Sequence, residues 1–405
     1  MTPAKSFAEF FAGIGLVGLA LQRSGWLCQY ANDIDPKKTA IYDANFTDHR
    51  CDLRDIWETD AVVERMGHPF LATASFPCID LSLAGHWRGL NGKHSSTFFG
   101  FAKVAEKLGA ARPKLVMVEN VVGFLTSHEG KDFSAVAALL ASLGYWLDAF
   151  VLDARYFVPQ SRPRVFLVGI HDSVASTHVI RQQASTALDD AWLHALGREA
   201  KLRPPSLRRI MQTVELETGW AATPITAPPQ SAYTLDAFID TDADQDWWTE
   251  DEVEKHYNRL SDRHRRQVDA LVRSRERFVT TGYRRKRNGS TKLEVRFDGI
   301  AGCLRTPRGG SARQIVVVID DGELRLRWMS AVEYGRLQGV DRFEMHPNER
   351  QMLFGFGDAV CVPAIEWIDR CVLSPIFESC HGTARRNGRQ SNARASAKSH
   401  AGGQR

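Results

Sequence analysis

The sequence predicts an α/β protein with an open, doubly wound sheet, and three observations carry that prediction. Residues 7–18 join an apolar strand to a helix through a glycine turn, with Gly13, Gly15 and Gly18 at GxGxxG spacing. Asp33 and Asp52 close the next two strand-like segments, so acids stand at successive strand ends. The small and apolar run Phe70, Leu71, Ala72, Ala74 then stops at a Pro77-Cys78 step. That step sets a thiol at the carboxyl edge of a parallel sheet, where open α/β sheets bind ligands. At 405 residues the chain exceeds a single core of usual size, so two lobes are expected.

Composition narrows the class. Hydrophobic content of 43% and charged content of 25% are ordinary for a soluble globular protein. No apolar run reaches the length of a membrane span, and Met1-Thr-Pro-Ala-Lys5 leads into the first strand without a secretory leader. Seven cysteines, odd in number and without CxxC spacing, argue against a disulfide framework or a zinc site. A reducing cytoplasm is the expected location, with no metal.

Taken in order, the first strand ends at the glycine turn, where a tight bend lets a ligand approach backbone at a helix N-terminus. The second strand, 27–32, ends at Asp33, placed to bond ribose hydroxyls; a third short segment closes on Cys51-Asp52-Leu53. Together these favour a nucleoside-containing cofactor without saying which one. The fourth strand ends at Cys78, which alone would equally suit a small buried hydrophobe. As a nucleophile it needs neighbours that favour the thiolate. Residues 98–108 and 133–143 have helical periodicity. Between them, 113–121 is a buried strand ending in Glu119 and Asn120; Glu119 must cap a helix or face the same cleft as Cys78. After a strand at 146–152, Gln160-x-Arg162-x-Arg164 turns into another. Its arginines suit an anion or a polar base edge, or else a surface ion pair.

These pieces resemble the bacterial-type DNA cytosine-5 methyltransferases. Phe11-Ala-Gly-Ile-Gly15, Phe76-Pro-Cys78, Glu119-Asn-Val121 and Gln160-x-Arg162-x-Arg164 occur in that family's order. Glu333-Tyr-Gly-Arg-Leu-Gln-Gly339 and Gly357-Asp-Ala-Val360 follow them. The resemblance implies a Rossmann-like methyltransferase sheet with S-adenosylmethionine as cofactor. Cys78 would add to carbon 6 of a flipped-out cytosine, Glu119 would hold ring nitrogen 3 and the exocyclic amine, and Arg164 would bond the base carbonyl, with Arg162 helping to set the site. Phe11 would stack on adenine, Asp33 would bind ribose, Asp52 would receive the adenine amine, and Gly13 and Gly15 would lie against the methionine portion. Ala12, Ile14, Leu16, Ile34, Leu53, Pro77, Asp358, Ala359 and Val360 complete the implied cofactor set. The sequence departs from the family pattern at Leu16, Ile79, Val332 and Asp358; the last replaces a common asparagine near the cofactor.

The strand–helix alternation fades after His171. The expected division is therefore 1–171 for a catalytic and cofactor lobe and 172–325 for an inserted domain, which the family would use for target recognition. Residues 326–378 would return to the first lobe as helices at 326–339 and 360–373, and 379–405 would be a disordered basic tail. Residues 247–278 read as helical and turn basic toward their end. The run Arg284, Arg285, Arg287 suits phosphate contact. Arg305, Arg308, Arg313 and Gln314 are of the types that read guanine and adenine edges bidentately.

The expected partner is double-stranded DNA, with a cognate restriction or defence-system protein in the same setting; the chain is expected to act as a monomer. An RNA cytosine methyltransferase is the alternative within the fold, though the long arginine-rich insert argues for duplex DNA. An NAD-dependent oxidoreductase would leave the Pro-Cys, Glu-Asn-Val and Gln-x-Arg-x-Arg pieces idle. A DNA-binding protein without catalysis would need a degenerate cleft, yet Cys78, Glu119 and Arg164 are all present.

Overall fold

The computed structural model describes residues 4–77, 97–176, 178–182, 201–223, 225–287, 289–307 and 312–380. Cys78, Ile79, Arg308 and the tail from 381 onward lie outside them. Strands β1 (Ser6–Phe10), β2 (Leu27–Asp33), β3 (Asp52–Leu53), β4 (Leu71–Ala74), β5 (Leu115–Val121), β6 (Tyr145–Asp153), β7 (Pro163–His171), β8 (Ile180–Gln182) and β9 (Trp220–Ala222) share one sheet. Their order is β3-β2-β1-β4-β5-β7-β6-β9-β8. The first five are mutually parallel, and β1 and β4 are buried along their whole length. That is why they read as near-continuous apolar runs, not as alternating ones. β7 runs antiparallel between β5 and β6. The link from Asp153 to Pro163 is too short for a parallel crossover, which needs roughly a dozen residues or more.

Helices cover both faces. α1 (Leu16–Arg23) starts directly from the glycine turn, and α2 (Pro36–Asn45) is capped by the Asp35 carboxylate accepting from Lys37 N at 2.9 Å. α3 (Thr59–Met66), α4 (Thr97–Leu108) and α5 (Lys131–Ser142) lie on the opposite face from α1. On α4, Phe98, Phe101, Ala102 and Ala105 form the buried stripe that its periodicity predicts. The helix Val362–Ile368 packs on α1, and Trp26 Nε1 donates to the buried Asp369 carboxylate at 2.6 Å. The chain's end thereby returns to its beginning.

A second sheet, antiparallel throughout, comprises β10 (Phe278–Arg287), β11 (Ser290–Val295), β12 (Gln314–Asp320) and β13 (Glu323–Trp328) in the order β11-β10-β12-β13. Here the structure differs from the sequence-based division. β13 runs through residue 325, so the second sheet continues to Trp328 and the next helix is Ala331–Leu337, started by a Ser330–Glu333 capping box. β8 and β9 extend the large sheet, and Leu202, Ala221, Ile225, Leu235 and Ile239 join its core. A buried ion pair, Arg203 Nη2 to Asp148 at 2.6 Å, ties this segment to β6. Strands of three residues between proline-rich loops carry no periodicity to read. The region 247–278 is two helices, Glu250–Tyr257 and Asp262–Ser274, because Ser261 caps the second at His264 N.

Candidate active site and cofactor cavity

The first turn after β1 is shaped by backbone that few side chains tolerate: Phe11 has φ 57°, Gly13 φ 60° and Gly15 φ 86°. Asp33, at the end of β2, braces it. One carboxylate oxygen accepts from Gly13 N at 2.8 Å and the other from Asp35 N at 2.8 Å. Each oxygen keeps a second lone pair. Gly15 leaves no room for a side chain, since a Cβ there would lie 2.4 Å from Phe46. Phe11, Ala12, Gly13, Ile14, Leu16, Asp358, Ala359 and Val360 line one cavity together. Ile34 and Leu53, 65% and 52% exposed, present unusual open apolar surface at the same sheet edge, and Pro77 is also exposed. Asp52 accepts from Tyr30 Oη at 3.1 Å and Arg54 Nε at 3.0 Å.

Five further residues line the cavity without having been legible as site residues: Glu9, Val17, Lys38, Ser75 and Gly355. Glu9 is the most informative. One oxygen accepts from Gly18 N at 3.1 Å, while Oε2 is buried with no hydrogen-bond partner among the described residues. Burial raises its pKa to about 8 despite the Gly18 bond, and Asp33 adds to the rise. The folded state therefore holds a proton that the unfolded chain releases between about pH 4.5 and 8. Its contribution to stability is complete below that window and is lost as pH rises through it. Thermal melts across pH 5–9 should show wild type losing stability relative to Glu9→Gln by at most about 1.4 kcal/mol per pH unit; parallel curves would count against a protonated Glu9.

The candidate catalytic residues that the structure describes are on β5 and β7, next to β4. Asn120 Nδ2 donates to Phe76 O at 3.2 Å, so the residues leading to Cys78 are fastened to the strand that carries Glu119. In the β5–β7 register Val121 faces Arg164 and Glu119 faces Phe166, which puts Glu119 and Arg164 on a diagonal of one face. Arg164 Nε lies 3.0 Å from Glu119 Oε1, with both side chains largely buried.

Arg162, expected to help set the site, is buried where three segments meet. Its guanidinium donates to the carbonyls of Leu304 (2.7 Å), Gly357 (3.0 Å) and Ala359, fastening the second lobe and the C-terminal segment to the first. Burial and then Arg164's like charge bring its pKa down to about 10. It is a positioning residue. Gln160 acts alongside it, donating to Leu337 O at 2.6 Å. Beside these arginines lies Cys303, whose Sγ accepts from Arg162 Nη1 at 3.6 Å. Burial pushes its pKa up, but Arg162 and Arg164 outweigh that, so the net shift is downward.

The C-5 cytosine-specific DNA methylase family model matches residues 5–373. The chain belongs to that family. It is a DNA (cytosine-5-)-methyltransferase, and it is similar to curated type II enzymes along most of its length. It is 26% identical over 390 residues to the type II methyltransferase M.HpaII of Haemophilus parainfluenzae, covering 92% of this chain and 90% of that one. It is 24% identical over 436 residues to M.HgiCI of Herpetosiphon aurantiacus, covering 92% and 98%. In fold it matches the S. pombe Dnmt2 methyltransferase with a TM-score of 0.56 at 15% identity, over 92% and 99% of the two chains. No helix among the described residues is long and apolar enough to cross a membrane, and no group of three or more His, Cys, Asp or Glu there could hold a metal.

The methyltransferase's second lobe corrects two of the expected base-reading residues. Gln314 is buried at the start of β12, with Nε2 donating to Cys303 O at 3.4 Å, so it faces the protein interior. Arg313 donates to Met329 O (3.0 Å) and Glu349 (2.9 Å) and lies over the Trp328 ring. Both are spent on the junction between the second sheet and the C-terminal segment. Arg305 is exposed. On β10, Arg284 stacks on Trp328 at 4.7 Å, while Arg285 and Arg287 are exposed and share Glu294 at 3.6 and 2.6 Å.

Proposed function

We propose that this methyltransferase acts on cytosine at a short specific sequence of duplex DNA, with S-adenosylmethionine as cofactor, in a restriction-modification or phage-defence setting. The observation that carries the reading is the Glu119–Arg164 pair, held at 3.0 Å beside the strand end that leads to Cys78. The cavity next to it suits the cofactor. Gly13 leaves open space against its backbone, Glu9 offers an unpartnered carboxyl oxygen to an ammonium group, and Ile34 and Leu53 offer apolar faces to a purine. When bound, S-adenosylmethionine supplies an electrophilic methyl group on a sulfonium.

The protein's own groups do the rest. A cytosine stacked in duplex DNA cannot reach a buried carboxylate, so the base has to leave the helix. Arg164 bonds the base carbonyl, and Glu119 holds ring nitrogen 3 and the exocyclic amine, giving a proton to the ring as the Cys78 thiolate bonds to carbon 6. Carbon 5 thereby becomes nucleophilic and takes the methyl group. Water then takes the carbon 5 proton, the C5–C6 double bond re-forms as Cys78 leaves as thiolate, and the ring returns its nitrogen proton to Glu119.

Sequence reading falls to the second lobe, with Arg305 on bases and Arg284, Arg285 and Arg287 on phosphates. Arg305→Ala should cost about 1–3 kcal/mol at the cognate site and relax preference at one position. Arg285→Ala with Arg287→Ala should weaken all sequences alike and make the salt dependence shallower. Binding titrations against cognate and single-mismatch duplexes at several salt concentrations check both; a changed site preference in the double variant would reverse the assignment.

The function is tested by transfer of tritiated methyl groups from S-adenosylmethionine to duplex DNA, single-stranded DNA and structured RNA. Label should accumulate in duplex DNA as 5-methylcytosine. Label confined to RNA would establish the RNA reading instead.

A further inference from the structure

We infer that Lys38 is a cofactor-binding residue, its ammonium receiving the α-carboxylate of S-adenosylmethionine while Asp358 holds it in place. The inference rests on the reading that S-adenosylmethionine fills the cavity described above. Lys38 stands in the first turn of α2, and Asp358 ends the helix Glu349–Asp358, 320 residues away in sequence. Their side chains meet at 2.8 Å, and both line the cavity that Phe11 and Gly13 open onto.

Three features make this pair more than a brace. The first is the identity of Asp358. Where the resemblance implies an asparagine near the cofactor this chain has an acid, and an amide could face a carboxylate by donating to it. A carboxylate cannot, because it only accepts and carries the same charge. An acid there can face the carboxylate end of an amino-acid ligand only with a cation beside it, and Lys38 is that cation.

The second is the state of Lys38. Burial lowers its pKa, but Asp358 raises it, with Asp33 and Asp35 adding, and the net shift is upward. The amine therefore stays charged. It has three donor hydrogens and gives one of them to Asp358. With side-chain exposures of 25% and 46%, Lys38 and Asp358 keep part of their surface open.

The third is the pairing of charges around the cavity. Glu9, with a carboxyl oxygen unpartnered among the described residues, and Lys38 both line it. An acceptor and a cation on one cavity match the ammonium and carboxylate of an α-amino acid. An exposed ion pair serving only to join two helices would contribute little and would not need a cavity between them.

The test is calorimetric binding of two ligands, S-adenosylmethionine and its decarboxylated analogue, which keeps the adenosine, sulfonium and amine but lacks the carboxylate. Wild type should bind S-adenosylmethionine about tenfold or more tightly than the analogue, as a charge-assisted hydrogen bond warrants. Lys38→Met should remove that preference by weakening S-adenosylmethionine, leaving the analogue's affinity within about threefold. Asp358→Asn retains Lys38 and should retain the preference, and it keeps the test informative if Lys38→Met folds poorly. Equal affinities in wild type, an equal loss of both ligands in Lys38→Met, or loss of the preference in Asp358→Asn would overturn the role of Lys38 alone. If wild type bound neither ligand, the cofactor reading would fail and this inference with it.

Discussion

Cys78→Ala is expected to reduce methyl transfer below detection while leaving DNA affinity within a few-fold of wild type. The thiol contributes bond-making chemistry and little contact area, so its loss should appear in turnover and not in binding. The field at this edge suits a thiolate. Cys303, beside Arg162 and Arg164, has its pKa shifted down even though burial opposes the shift. A duplex with 5-fluorocytosine at the target should trap wild type as a covalent adduct stable in denaturing gels, because fluorine cannot leave as a proton does. The alanine variant should form none. Methylation persisting in Cys78→Ala would remove the cysteine from the mechanism.

Glu119→Gln carries the next largest expected effect, a fall in turnover of about 10²–10⁴-fold. The amide oxygen can still accept from Arg164 Nε, which now sits 3.0 Å from the carboxylate, so the local geometry should survive. What the amide cannot do is give a proton to the ring as the thiolate attacks. Single-turnover rates separate this from binding: the chemical step should slow while DNA affinity holds within a few-fold. A variant within a few-fold of the wild-type rate would leave Glu119 as a structural partner of Arg164 and no more.

The parts of the fold that depend on short-range pattern were legible. β1, the glycine turn and α1 follow from twelve contiguous residues, 7–18, and the buried parallel strands from their unbroken apolar runs. The cavity draws largely on motif residues, Phe11, Gly13 and Asp358–Val360 among its lining. What local pattern left unread were contacts that depend on a distant partner. Arg162 and Arg164 are two residues apart and chemically identical. Only the arrival of Leu304, Gly357 and Ala359 turns the first into a clamp, while the second meets Glu119. Gln314 looked available for bases, but β12 is buried along nearly its whole length, because its valines face both the second-lobe core and the first. The Lys38–Asp358 pair spans 320 residues, and Glu9 becomes notable only because burial leaves one of its oxygens unpaired. Neither condition leaves a mark in local sequence.

The central claim is that this chain places methyl groups on carbon 5 of cytosine in DNA. Bisulfite sequencing of genomic DNA from a methylation-deficient host expressing it tests that most directly. Protected cytosines should appear at one short recurring sequence, near completion at those sites, and should vanish when the host carries Cys78→Ala. Full bisulfite conversion throughout the genome, with the protein folded and expressed, would contradict the account.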